Sequence, residues 1–323
     1  MILKRIGSTR SSRAAPLRET WVPGLHRIAD DVATGALRVP RLYPDGFGSR
    51  LQIDRTTRSI ADYDVAMTPP AIEVLWGPPT RRRQGIISRG EFRSPTLHIP
   101  LPPESRTAAL EWIEPVTGAG PNTPVVLHLA ASGEVGFFSR RRTALALAQD
   151  GIVSVSLENP FYGSRKPAGQ RHAALRTVSD QFAMNYATVE EGRAILAYLR
   201  RLGFSRIAVT GYSQGGVMAA FCAALTSFPV AVAARAAADS VADLFTRDNF
   251  SQLILWDRLA ADAGDDASAR AYFRAALDVV TVSRFPAPVQ PVAAVILAGR
   301  PKIRPRRGVV PCIRRQPIPQ NEL

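Results

Sequence analysis

The 323-residue sequence is short of cysteine, of lysine and, past residue 172, of histidine altogether. Its two cysteines, Cys222 and Cys312, make no metal-ligand spacing and no disulfide framework. Cys222 reads as a small core residue, and the reducing cytoplasm is the expected compartment. No apolar run approaches the ~18 residues of a membrane-spanning helix. The basic, Ser-rich start "MILKRIGSTRSSRAAPLRE" lacks the apolar segment of a secretory signal, and an organelle reached through that basic start is the alternative destination. The only lysines are Lys4, Lys166 and Lys302, so the formal charge of +14 rests on arginine spread along the whole chain. Without a zinc spacing, an RNP-like strand or a helix-turn-helix pattern, that charge does not read as a nucleic-acid surface. No cofactor or metal is expected.

What the chain does have is a rhythm. Residues 1–70 read as irregular, and strand-like segments begin at about Ile72 with "AIEVLW", "GIISRGEF" and "TAALEWIEP". The run "PVVLHLA" (124–130) is then followed by a helix-like "SRRRTALALAQDG" and by a strand-like "IVSVSLE" (152–158). A long helix is predicted over "SDQFAMNYATVEEGRAILAYLRRLG", with Ser179 as N-cap and Gly203 as stop. "RIAVT", "PVAVAARAAA" and "PVAAVILA" supply further strands, and residues 241–280 look helical. Strands alternating with helices at this spacing predict an α/β fold with a mostly parallel, doubly wound sheet.

The chemistry centres on "RIAVTGYSQGGVMAAFCAAL", where a strand-like run enters Gly211-Tyr212-Ser213-Gln214-Gly215 and a small-residue helix follows. Glycines at 211 and 215 permit the sharp turn that lifts a serine hydroxyl above a sheet as a nucleophile. The competing reading is a glycine-rich turn with Ser213 as a helix cap. An oxyanion hole needs two backbone N–H groups. Gln214 supplies one, and the corner "HLAASGE" (128–134) supplies the other from Ala130, or failing that Ala131. His128 would brace that corner, or simply be a buried histidine.

Together "HLAASGE", "SRRRT", "ENPFYGSRKP" (158–167), "VSDQFAMN" (178–185) and "TGYSQGG" (210–216) resemble the alpha/beta-hydrolase domain-containing protein 18 family, with "GEFRSP" (90–95) extending the likeness upstream. The resemblance is specific from about Gly90 to Gly216 and then fades to fold level up to Ala298. It implies an alpha/beta-hydrolase fold, a Ser–Asp–His triad and a carboxylic ester substrate, lipid esters included. The corresponding division is an N-terminal extension over 1–89, a hydrolase core over 90–298 and a basic Pro/Arg-rich tail over 299–323. In "ENPFYGSRKP", Tyr162, Arg165 and Lys166 would stand beyond a strand end, where ligands sit in open α/β sheets, and Arg165 could clamp an anionic group. The alternative is a loop pinned by a salt bridge from Arg165 to Glu158 or Asp180.

The triad order in this fold is serine, acid, histidine. Here His26, His98, His128 and His172 all precede Ser213, and no carboxylate stands between Gly299 and Glu322, where the family's acid would fall at about Pro301. The tail is therefore expected to be unstructured, out-of-frame or degenerate sequence in place of the usual C-terminal edge; a genuine basic tail for an acidic partner is the alternative. Asp239 and His172 are the only substitutes for acid and base. Two functions follow: a serine ester hydrolase impaired by the loss of both groups, or a non-catalytic protein holding an anionic small molecule or lipid head group.

Overall fold

A computed structural model describes residues 41–63, 69–96, 98–247, 249–290 and 293–297. The basic tail and residues 1–40 lie outside the described residues. Nine strands form one sheet: β1 (Leu75–Trp76), β2 (Thr80–Arg82), β3 (Gly85–Arg93), β4 (Thr107–Glu114), β5 (Val125–Leu129), β6 (Val153–Leu157), β7 (Ile207–Tyr212), β8 (Ala231–Arg235) and β9 (Ala294–Leu297). Their order is β1-β3-β4-β6-β5-β7-β8-β9, with β2 also paired to β3. The β1–β6 side is joined by antiparallel pairs, and β6-β5-β7-β8-β9 are parallel. The fold is that of an alpha/beta hydrolase. The boundary drawn at residue 90 falls inside β3, which pairs with β4 along its length.

The parallel strands are the β-branched runs read from the sequence. All five residues of β6 are buried, as expected of a strand covered on both faces. The connections carry α2 (Phe138–Gln149), α3 (Val178–Arg201), α4 (Gln214–Ala224), α5 (Ala242–Thr246), α6 (Trp256–Ala263) and α7 (Asp266–Val279), and ahead of the sheet stands α1 (Arg50–Ala61). The helix α1 was not foreseen in a segment read as irregular. Its sequence is mostly polar and only Ile53 and Thr56 are buried, so its apolar stripe is too thin to show a period. The start of α3 also differs from the prediction. Thr177 is the N-cap and forms a capping box with Asp180, which leaves Ser179 in the first turn.

Two clusters make the core. One joins Leu127, Leu129, Val155, Leu157 and Val209 of the sheet to Leu196, Ala219 and Phe221 on α3 and α4. The other lies beyond the carboxyl ends of the strands, where Tyr43, Phe47 and Ile53 meet Phe182, Met184 and Phe273. The chain runs from β5 to β6 on one side and returns to β7 on the other, so the crevice where strand order reverses opens above β5 and β7. That crevice holds the site.

Candidate active site

Ser213 follows β7 directly and adopts φ 52° and ψ −119°, a conformation that a side chain rarely occupies. Its N–H donates to the Arg235 carbonyl at 2.9 Å, which pins the turn to the end of β8. The flanking glycines are steric requirements. A Cβ at Gly211 would collide with the Gly215 carbonyl, and one at Gly215 would collide with the Leu129 carbonyl and stand 2.7 Å from that of Ala130. Although Ser213 occupies the N-cap position of α4, its side chain makes no capping hydrogen bond, so the helix-cap reading fails. Among the described residues its hydroxyl makes no hydrogen bond at all.

The corner after β5 lies against this turn. Ala130 is buried and its N–H has no protein partner among the described residues, whereas the Ala131 N–H donates to Glu134 Oε2 at 3.0 Å and is taken out of contention. Gln214 opens α4, where the first N–H groups have no intrahelical acceptor. The corner is braced by residues that the sequence reading passed over. Glu134 also accepts from Ser139 and from Arg140 Nε at 2.7 Å. Arg140 in turn donates to the carbonyls of His128 (3.0 Å), Leu157 (2.6 Å) and Gly136 (2.7 Å). One guanidinium thus ties the ends of β5 and β6 to the corner. Burial pushes the Glu134 carboxyl up, but Arg140 and the bonds from Ser139 and Ala131 outweigh it and hold the group below its ordinary range.

His128 belongs to β5 itself, not to the corner. Its Nε2 lies 3.2 Å from Ser154 Oγ, and burial, aided by the charges of Arg140 and Arg235, holds it down to about 4. It is neutral at pH 7 and does not line the cavity described below. Tyr162 is buried and braces the same corner. Burial raises its phenol, while hydrogen bonding with the Gly133 backbone and the Ser132 side chain works the other way.

Arg165 does not present a cation to ligand. Its side chain is 1% exposed and pairs with Glu191, NH1 to Oε2 at 2.8 Å and NH2 to Oε1 at 2.6 Å. It also donates to the carbonyls of Glu158 (2.7 Å) and Ser105 (2.8 Å). The pinned-loop reading holds, with Glu191 as partner in place of Glu158 or Asp180. Glu158 instead accepts from the Gly136 N–H at 2.8 Å and from Ser164, another strut beneath the corner. Lys166 Nζ donates to the Gln170 carbonyl at 2.8 Å.

The two substitutes are not brought together. Asp239 receives Ser283 N–H at 2.8 Å and Ser283 Oγ at 2.9 Å. It therefore caps the turn at 282–284, and neither caps the helix after it nor reaches Ser213. His172 is exposed, and no hydrogen bond joins its ring to Ser213 or to Asp239 among the described residues.

Above Ser213 opens a cavity of about 130 Å³, lined mainly by apolar side chains of α3, α4 and the helices before β9, among them Val189, Met218, Phe221, Phe245 and Leu277. Its polar lining includes Tyr43, Ser132, Gln181, Asn185, Glu190 and Gln214. Asn185 Oδ1 accepts from Gln214 Nε2 at 2.6 Å and from Gln181 Nε2 at 3.0 Å. Burial pushes the Glu190 carboxyl up to about 7, against a nearby His98, and Tyr63 donates its hydroxyl to it at 2.7 Å. No helix among the described residues is long and apolar enough to cross a membrane.

A model of the family described as alpha/beta hydrolase domain containing 18 matches residues 41–283. Similar solved structures include acetyl xylan esterase 1 from Thermoanaerobacterium sp. JW/SL YS485, at 14% identity over 83% of this chain and 92% of that one, with a TM-score of 0.48. Another is the acetyl xylan esterase from Paenibacillus sp. R4, at 12% identity over 80% and 90%, with a TM-score of 0.47.

Proposed function

The chain belongs to the alpha/beta hydrolase domain containing 18 family, and from that premise we propose that its site is that of a serine hydrolase acting on carboxylic esters, lipid esters included. Ser213 Oγ attacks the ester carbonyl, and the N–H groups of Gln214 and Ala130 hold the oxyanion. Collapse of the tetrahedral adduct expels the alcohol and leaves an acyl-serine, which water hydrolyses. The observation that carries this reading is the strained Ser213 turn at an apolar cavity, beside the Gln214 and Ala130 N–H groups, for which no partner stands among the described residues.

Among the described residues no histidine or carboxylate bonds to the Ser213 hydroxyl. In this reading the Ser213 proton passes to solvent, and the leaving alcohol is protonated from solvent. An oxyanion hole and binding alone retain roughly 10³–10⁴-fold over water, against a loss of about 10⁴–10⁶ from the triad. The test is release of p-nitrophenol from short p-nitrophenyl esters by the full chain and by Ser213→Ala. Slow turnover that disappears in Ser213→Ala is expected. Equal rates in the two proteins would sink the hydrolase reading. Turnover on the order of 10 s⁻¹, typical of an intact enzyme, would instead sink the inference that catalysis is impaired.

The second reading is a binding protein without turnover, favoured by the unengaged Ser213 hydroxyl. Its ligand would be a neutral, largely apolar molecule. With Arg165 sealed against Glu191, the anion clamp has no cation to work with.

A further inference from the structure

Two polar atoms lining the cavity around Ser213 are buried without a hydrogen-bond partner: the Tyr43 hydroxyl and Gln214 Oε1. Buried groups of this kind are ordinarily paired, so an unpaired one calls for an explanation. We propose that Tyr43, Gln214 and Asn185 form a subsite for a hydroxyl group, so that the ester taken by this site carries a free hydroxyl in addition to its scissile bond, as a polyol monoester does. This deepens the ester-hydrolase reading and rests on it.

The two atoms are complementary in kind. Tyr43 can donate, and Gln214 Oε1 can only accept. A hydroxyl can pair with either kind of group, and a polyol can offer one to each. A hydrocarbon satisfies neither, and a carboxylate would face the Gln214 carbonyl with a second acceptor. The orientation of Gln214 is set by its neighbours: its Nε2 is committed to Asn185 Oδ1 at 2.6 Å, which leaves Oε1 as the free end. Asn185 Oδ1 is shared with Gln181 Nε2 at 3.0 Å, so the Asn185 amide N–H groups remain for a ligand acceptor.

Tyr43 is held as firmly as Ser213. It sits at φ 64°, its N–H donates to the Leu175 carbonyl at 3.1 Å, its own carbonyl accepts from the Gly46 N–H at 3.1 Å, and its ring meets Phe273 edge-on. Ring packing accounts for an aromatic residue here, and phenylalanine would pack equally well; the hydroxyl is the part that packing leaves unexplained. Tyr43 and Tyr162 belong to the same buried cluster.

The test uses the full chain carrying Ser213→Ala, so that ligands bind without turnover. Titration calorimetry compares glycerol monobutyrate with propyl butyrate, the same acyl group on an alcohol without free hydroxyls. Glycerol monobutyrate should bind about tenfold more tightly, and adding Tyr43→Phe should bring the ratio close to one while leaving propyl butyrate unchanged. Equal affinities with Tyr43 intact, or a preference that survives Tyr43→Phe, would overturn the subsite alone. Binding of neither ester would overturn the ester-hydrolase reading and the subsite with it.

Discussion

Replacing Arg165 with methionine separates a structural pin from a ligand clamp. The Arg165 and Glu191 side chains are 1% and 0% exposed, and both Glu191 oxygens bond to the one guanidinium. Removing the cation strands a buried carboxylate, and breaking such a pair from one side costs about 3–5 kcal/mol. The carbonyls of Ser105 and Glu158 lose a donor as well, which adds to the loss. Replacing both partners with methionine removes the stranded charge. The double variant should therefore be more stable than the single one, by on the order of 2 kcal/mol or more. Urea unfolding at pH 7.5 measures this through midpoints at an unchanged slope. A loss below about 1 kcal/mol for Arg165→Met, or a double variant weaker than the single one, would refute the pinning argument and reopen the anion clamp.

Other outcomes follow from the same geometry. Gly215→Ala drives a methyl group into the carbonyls of Leu129 and Ala130; it should abolish turnover of p-nitrophenyl esters and lower stability by about 1–3 kcal/mol, and unaltered turnover would contradict the close approach. Glu190 is faced by Tyr63, Tyr186, Arg193, His98 and Cys222, and its rise from 4.5 to about 7 means that its contribution to stability falls as pH climbs through that window. Glu190→Gln should then be the more stable protein at pH 8, by up to about 3 kcal/mol at about 1.4 kcal/mol per pH unit, with the gap closing towards pH 4.5; thermal melts at the two ends check it. Tyr43→Phe removes an unpaired buried hydroxyl and should leave stability unchanged or raise it by about 1 kcal/mol, whereas a clear loss in urea unfolding would mean that the hydroxyl has a protein partner.

What could be read from the sequence is what local pattern controls. The run "VVLHL", the burst of small residues after Ser213 and the two elbow glycines each state their structural role within a few positions, and the sheet places them accordingly. Thr177 and Ser179 are both acceptable caps two residues apart. Asp180, at the third helical position relative to Thr177, decides between them through the capping box. Long-range pairings were not legible. Arg165 has nearer carboxylates in sequence, yet it takes Glu191, because the loop after β6 folds back against the middle of α3. The pairing of Glu134 with Arg140 had a signal, opposite charges six residues apart at a strand–helix corner, but only the fold shows that Arg140 also reaches two strand ends. Asp239, offered as a substitute acid, instead caps a turn 43 residues further on, at Val282–Arg284. Tyr43 carried no signal, since nothing in a stretch read as irregular marks one aromatic residue as facing a site.

The account turns on Ser213 as the nucleophile, and covalent labelling addresses that most directly. The full chain is treated with an alkyl fluorophosphonate, and the adduct is located by peptide mass mapping, with Ser213→Ala alongside. The predicted result is one adduct, on Ser213 and absent from Ser213→Ala. A folded protein with no adduct at Ser213, or with the label on another serine, would contradict it.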